Sequence, residues 1–378
     1  MAGLYIHIPF CESRCIYCDF FSTVNSGMQY RYINSLCREY EMRRHEILPQ
    51  GSSWDTIYIG GGTPSTLSIE HLRQLFTTIA KDMPQAPMEV TIECNPDDIT
   101  AQYANELAQL PINRVSMGAQ TFDDNRLAFL HRRHSAVQVT QAVENLKRAG
   151  FSNISVDLMY GFPNETVDDF KRDIDKVLLL DVPHISAYCL MYEEGTALYR
   201  MLQQGMVSEI DEETELAMYD ALINSLAAVG YEHYEISNFA RPGMRSQHNS
   251  SYWNLTPYLG IGAAAHSYDG SNIRSSNPLH LIKYIETIER GDLPVIRERL
   301  SPEERYNDYA MLRLRTSEGI NLLEVERIFG ASLRQYTEDT AQQFIANGQL
   351  AYNSDMQSLH LTTQGIIVSN MVMSEFMT

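Results

Sequence analysis

Thr56-Ile-Tyr-Ile-Gly-Gly-Gly-Thr-Pro64 reads as a short buried strand that runs straight into three glycines. Glycines at the carboxyl end of a strand permit positive φ angles and let a ligand approach the backbone closely. A helix follows, with Ser68 as its N-cap and Ile69, Leu72, Leu75, Phe76 and Ile79 on one face. Taken alone, the glycines are explained as well by a plain turn.

The same strand, polar turn and helix then recur down the chain. Met88–Glu93 ends in a carboxylate with Asn95-Pro96 behind it, and the spacing predicts a helix from Thr100 to Leu110. Asn113–Gly118 runs into Ala119-Gln120-Thr121 and is followed by a helix over 136–149. Asn153–Tyr160 closes with Gly161-Phe-Pro163, and 167–180 is its helix. Pro183–Leu190 is the next strand, and Leu4–Ile8, ahead of the quoted stretch, is the first, followed by an amphipathic helix from 28 to 47. Strands alternating with helices in this way imply right-handed βαβ units on a parallel sheet, six in number. Gly60–Thr63, Glu93, Gln120, Asp157 and Tyr188 fall in or just after the ends of successive strands. A site collected from many strand ends is the habit of barrels, whereas an open sheet gathers its ligand at one switch point. The expectation is therefore an α/β protein built on a partial (β/α)6 barrel. His248–Trp253 and Tyr258–Ser267, rich in aromatics, histidine and glycine, read as a loop-built lid. Beyond Pro278 come helices punctuated by Gly319, Gly330 and Gly348 and a hairpin at 349–362, a winged-helix-like pattern. The predicted division is 1–275 and 276–378.

The first strand empties into His7-Ile-Pro-Phe-Cys-Glu-Ser-Arg-Cys-Ile-Tyr-Cys-Asp-Phe20, which holds Cys11, Cys15 and Cys18. Three thiols in one tight loop leave one over for any disulfide. A tetrahedral zinc site needs a fourth ligand, whereas an iron–sulfur cluster is held by thiolates and leaves one iron open when only three are supplied. Cys37, Cys94 and Cys189 are isolated and read as small core residues. With 29 Lys+Arg against 48 Asp+Glu, the formal charge of −19 argues against nucleic acid and anionic lipid as partners, and the C-terminal helices carry no basic stripe. The 378 residues, 44% hydrophobic, contain no run of about 20 apolar residues and open without a leader pattern, so a cytoplasmic protein with reduced cysteines and no integral membrane segment is expected.

The cysteine run, Gly60-Gly-Gly-Thr-Pro64, Ser116-Met-Gly-Ala-Gln120, Leu130-His-Arg-Arg-His134, Asp157-Leu-Met-Tyr-Gly-Phe-Pro163 and His248-Asn-Ser-Ser-Tyr-Trp253 together resemble the radical S-adenosylmethionine (SAM) enzymes. The resemblance extends over nearly the whole chain. It points to the branch of the oxygen-independent coproporphyrinogen III dehydrogenases and the HemW-type heme chaperones. It implies that Cys11, Cys15 and Cys18 hold a [4Fe–4S] cluster whose fourth iron binds SAM, releasing a 5′-deoxyadenosyl radical on reduction. It places Gly61, Gly62 and Thr63 at the methionine end of SAM and Arg132, or Arg133 in its stead, on the carboxylate. Glu93, Gln120 and Asp157 would take the amino group or ribose hydroxyls, and Tyr5 and Tyr17 would line adenosine or cluster; Glu93 and Asp157 also read as plain strand-end carboxylates. The dehydrogenases carry a further cysteine just after the third ligand and a long N-terminal extension. Here Asp19 and Phe20 follow Cys18, and ten residues precede Cys11. The resemblance thus leans to the chaperones, with heme as cargo, recipient hemoproteins and an electron donor as partners, and a cluster-dependent homodimer among the assemblies it allows. Oxidative decarboxylation of coproporphyrinogen III is the alternative, and a docking protein that keeps the cluster for structure or dimerisation is a third reading. His248 is either a heme contact, with Tyr252 and Trp253 stacking on the macrocycle, or a residue that shapes the cavity; His266 stands likewise.

Overall fold

The computed structural model describes residues 1–378. In chain order it runs through β1 (Gly3–Ile8), α1 (Gln29–Arg43), β2 (Thr56–Gly61), α2 (Ile69–Ile79), β3 (Glu89–Cys94), α3 (Ala101–Leu107), β4 (Arg114–Gln120), α4 (Asp124–Phe129), α5 (Ala136–Arg148), β5 (Asn153–Tyr160), α6 (Val167–Leu179) and β6 (His184–Cys189). There follow α7 (Ala197–Gln203), α8 (Glu212–Ala228), β7 (Glu232–Glu235), β8 (Asn238–Ala240), α9 (Gln247–Trp253), β9 (Tyr258–Ile261), β10 (His266–Tyr268), β11 (Ile273–Ser276), α10 (Leu281–Arg290) and β12 (Ile296–Arg299). The last part holds α11 (Pro302–Leu314), β13 (Ile320–Asn321), α12 (Leu322–Phe329), α13 (Ala331–Ala346), β14 (Leu350–Asn353), β15 (Ser358–Leu361), α14 (Thr363–Ile367) and α15 (Ser369–Glu375).

β1 to β6 lie side by side in sequence order and pair in parallel, as the six repeated units require. The sheet does not close. β7 and β8 continue it antiparallel beyond β6, and β10, β11 and β12 do so at the other side. The helices bury their apolar stripes against one continuous core that includes Leu72, Leu75, Phe76, Val143, Leu146, Phe170, Ile174 and Leu222. Local signals set many of the boundaries. Ser68 accepts from the His71 N–H, and Thr166 forms a reciprocal cap with Asp169.

Two segments depart from the expected lid. Tyr258–Ile261 is not a loop but a seventh parallel strand, paired with β1 on the side away from β2. Its glycine misleads because it serves close approach rather than turning: a Cβ on Gly260 would sit 1.9 Å from the His266 carbonyl oxygen. The stretch 247–253, poor in strong helix formers, is nevertheless helix α9. Ser246 caps it, and the buried Glu89 carboxylate of β3 accepts the Gln247 and His248 N–H groups at 2.8 and 3.1 Å. A carboxylate at a helix N-terminus supplies what the side chains of this helix do not.

The second core gathers Tyr306, Tyr309, Leu314, Ile320, Phe344, Leu350, Leu359 and Phe376 from α11 onwards. Its three-stranded sheet, in the order β13, β15, β14, carries the expected hairpin. A break at 275/276 would fall within β11, whose partner β12 still belongs to the large sheet. We propose drawing the junction at 300–301, where the Ser301–Glu304 capping box opens α11. No helix is long and apolar enough to cross a membrane.

Candidate functional site

The carboxyl ends of the parallel strands open into a cavity of about 560 Å³. Of the residues singled out in the sequence, Cys11, Cys15, Tyr17, Cys18, Gly61, Gly62, Thr63, Glu93, Gln120, Arg132, Arg133, Asp157 and Tyr188 line it, whereas Tyr5, His248, Tyr252, Trp253 and His266 do not.

The cysteine loop is fixed by groups other than its thiols. Cys11 N–H donates to the Thr23 carbonyl at 2.9 Å and Thr23 N–H to that of Pro9 at 2.7 Å, closing the base of the loop. Ile16, between two of the cysteines, plugs a small satellite core with Leu130, Met159, Phe162, Leu190 and Leu198. With this plug seated, the cysteines stay at the cavity wall, all free and half-buried. Burial pushes the Cys18 thiol up to about 11 and raises Cys11 as well. Thr63 Oγ1 lies 3.5 Å from Cys11 Sγ, and Arg132 Nη1 lies 3.7 Å from Cys15 Sγ. No three Cys, His, Asp or Glu side chains converge as a single ion requires. Three free thiols lining one cavity, with a guanidinium beside one of them, are of the donor type that could hold an iron–sulfur cluster.

The glycine turn abuts this loop. Gly62 N–H and Thr63 N–H donate to the Ile8 and Phe10 carbonyls, both at 2.8 Å. A Cβ on Gly62 would meet the Phe10 carbonyl oxygen at 2.9 Å and Cys11 Sγ at 3.0 Å, so the turn and the loop can be this close only with glycine there. The plain-turn reading of the glycines is therefore too small.

Beside the same turn, Glu93 accepts from Tyr58 O–H at 2.7 Å and Gly61 N–H at 2.9 Å. It is half-buried and lines the cavity, and burial pushes its carboxyl up to about 7 in spite of those donors. Asp157 is likewise raised by burial. Arg132 donates through Nη2 to Asn95 Oδ1 and the Gly118 carbonyl, both at 2.6 Å, and its Nε has no partner. Arg133 is spent on Asp97, Asp98 and Glu12. Gln120 sits at a bulge in β4 with φ 68°.

Tyr5 stands outside this lining. Its hydroxyl meets His7 Nδ1 at 3.0 Å, and its ring stacks on Tyr58, so it acts on the site through the Tyr58–Glu93 bond. His248 is fully buried, with Nδ1 2.8 Å from Thr56 Oγ1 and Nε2 2.8 Å from the Tyr252 hydroxyl. Its ring stacks on Tyr58, and burial pushes it down to about 3. Both nitrogens are used, so as placed it shapes the wall, and its neighbour Asn249 is the one that lines the cavity. His266 is exposed on β10 away from this lining.

Sequence reasoning missed Tyr58, Asn95, Ser116, Ser186, His131 and the buried Arg114, all of them lining residues. β4 carried a usable signal: Arg114, Ser116, Gly118 and Gln120 alternate with the buried Val115, Met117 and Ala119. Parallel strands covered on both faces read as unbroken apolar runs, so this alternation marks one face as a cavity wall.

Two expected outcomes follow from the geometry. In the folded chain Glu93 holds its proton up to about pH 7, whereas unfolded it ionises above about 4.5. The folded state therefore binds more protons in that window, and stability falls as pH rises through it. Glu93→Gln should remove on the order of 2 kcal/mol of that fall, after discounting for its opening on the cavity; melting curves near pH 5 and pH 8 check it. Glu165, also pushed up to about 7, keeps its own share. His248→Ala should destabilise by roughly 2–4 kcal/mol, because it leaves a cavity and strips partners from Thr56 and Tyr252. A melting temperature unchanged by that substitution contradicts the packing role.

Comparison with known proteins bears on the same residues. The model of the radical SAM superfamily matches residues 5–177, and that of the HemN C-terminal domain matches 300–368. The chain is 37% identical to the heme chaperone HemW of Lactococcus lactis, covering 99% of this chain and 96% of that one. It is 35% identical to the heme chaperone HemW of Bacillus subtilis over 100% and 99%. Among solved structures it is similar to coproporphyrinogen III oxidase (HemN) from Escherichia coli, with a TM-score of 0.85 and 20% identity over 100% of this chain and 90% of that one.

Proposed function

The chain belongs to the radical SAM superfamily and, within it, to the HemW branch, and on that premise we propose that it is a heme chaperone. In this reading it holds a [4Fe–4S] cluster and SAM in the cavity and delivers heme to hemoproteins. The observation that carries it is likeness over the full length to heme chaperones. Asp19 and Phe20, where the dehydrogenases have a further cysteine, support it from the chain's own residues.

The cluster, when bound, supplies the electron that cleaves the sulfonium of SAM. The protein's part is to bind and orient. Cys11, Cys15 and Cys18 would hold the cluster, and Thr63 and Arg132, both close to sulfur, would stabilise thiolate charge. Arg132, which lines the cavity beside Cys15 Sγ, would suit a carboxylate, and the Gly61-Gly62-Thr63 backbone, also in the lining, would meet the methionine end. Glu93, Gln120 and Asp157 offer acceptors to an ammonium or to ribose hydroxyls. Glu93 is negative only above about pH 7, so SAM affinity should rise through that pH and lose the rise in Glu93→Gln. Calorimetric titration on cluster-loaded protein measures it.

The alternative is coproporphyrinogen III dehydrogenase; the likeness to the Escherichia coli enzyme, at 20% identity, shows a shared fold alone. An anaerobic assay with reduced, cluster-loaded protein, SAM and coproporphyrinogen III separates the two. The chaperone reading predicts no protoporphyrinogen IX, and its formation would count against that reading. Cleavage of SAM to 5′-deoxyadenosine would exclude a purely docking role.

A further inference from the structure

Of the eleven histidines, only His131 lines the cavity. The others lie elsewhere: His7, His184 and His248 are buried with both ring nitrogens bonded inside the protein, and His134 is buried with Nε2 bonded to the Ala119 carbonyl and Nδ1 enclosed without a partner. His131 is exposed and its imidazole makes no hydrogen bond, so both nitrogens are available. Its backbone is held at φ 61°, a region that costs a branched or bulky side chain of order 1 kcal/mol and persists where its surroundings over-determine it. Those surroundings are firm. Leu130 before it is buried in the satellite core and accepts from Ile16 N–H, and the His131 carbonyl accepts from Ser13 Oγ at 3.4 Å. The His131 backbone is thereby fixed beside the cysteine loop, where its side chain lines the cavity.

The rest of the rim has the character of a site for a flat apolar molecule carrying acids. Phe20, Tyr188 and Met191 line the cavity yet are 65, 43 and 62% exposed. The chain's other exposed large apolar side chains lie elsewhere, whereas these three share one opening. Arg14, also lining and exposed, adds a cation to a rim of an otherwise acidic protein.

Resting on the heme-chaperone reading, we infer that heme docks across the mouth of the cavity with its iron bound by His131. Phe20, Tyr188 and Met191 would face the macrocycle, and Arg14 its propionates. A neutral imidazole is an ordinary axial ligand to heme iron, and an exposed rim suits cargo that must leave again.

The test is an anaerobic titration of cluster-loaded native protein and His131→Gly with heme, followed by optical absorption. Glycine accepts φ 61° without strain, so the variant is expected to fold and to keep the cluster absorbance. The native chain should show an imidazole-ligated heme spectrum. His131→Gly should lose it, bind about tenfold more weakly, and regain it on addition of free imidazole. A native spectrum and affinity in His131→Gly would overturn the ligand assignment alone, as would loss of the spectrum in Met191→Leu but not in His131→Gly. Absence of any heme binding by the native chain would overturn the heme reading itself and the assignment with it.

Discussion

Cys15→Ala is expected to abolish iron loading and the brown absorbance of the reconstituted protein while leaving its melting temperature almost unchanged. The two halves of that expectation have separate causes. Cluster assembly needs three thiolates, and Cys15 is the one that Arg132 Nη1 approaches at 3.7 Å. Two remaining thiols cannot hold four irons against loss to solvent or chelator. The loop itself is shaped by other contacts: the Cys11–Thr23 and Pro9–Thr23 backbone bonds, Ile16 in the satellite core, and the Leu198 N–H to Ile16 carbonyl bond at 2.9 Å. None of them involves the Cys15 side chain. Retained iron and colour in the variant would refute the ligand assignment, whereas collapse of the fold would show that the loop is not held as described.

Glu39→Ala should cost about 3–5 kcal/mol and lower the melting temperature by on the order of 10 °C. Glu39 and Arg43 of α1 are 0% and 1% exposed and pair at 2.7 Å. The carboxylate also accepts from Asn277 Nδ2 at 2.7 Å, Gly262 N–H at 2.8 Å and Tyr284 O–H at 2.6 Å. The guanidinium donates to the Gly260 carbonyl at 3.1 Å and to Ser267 and Ser275 hydroxyls. One ion pair thus ties α1 to β9, β10, β11 and α10. Removing the carboxylate leaves the buried guanidinium with the partly exposed Glu46, at 3.3 Å, as its one counter-charge and three further donors without this acceptor, which is why the expected loss far exceeds that of an exposed pair such as Arg31–Glu289. Thermal melts of the two variants Glu39→Ala and Arg31→Ala compare the effects directly, and equal losses would contradict this view of the network.

This buried pair also shows where sequence reasoning stops. The repeated strand and helix units were legible because each obeys local rules: an apolar run, a glycine or polar turn, a capping residue such as Ser68, then an amphipathic helix. The cysteine spacing and the glycine turn were legible for the same reason. β9 was not, because Gly260 and its small neighbours mark the approach of β10 and α1, a tertiary requirement with no local sign. α9 was missed because its cap is partly Glu89, a residue more than 150 positions away in the chain. The place of His248 depended on the same packing: an imidazole beside asparagine, tyrosine and tryptophan suggests a ligand, but Thr56 and Tyr252 take both of its nitrogens. His131 went unassigned because exposure and a free ring are properties of a side chain in its surroundings.

The reading of the whole molecule turns on heme delivery, and one measurement addresses it most directly. Cluster-loaded, reduced protein carrying one heme is mixed anaerobically with SAM and a heme-free b-type hemoprotein, and heme in each protein is followed by absorption after separation. The chaperone reading predicts that heme moves to the acceptor, and that it moves less from Cys15→Ala. Heme that stays on the native chain, in a preparation that instead converts coproporphyrinogen III to protoporphyrinogen IX, would contradict it.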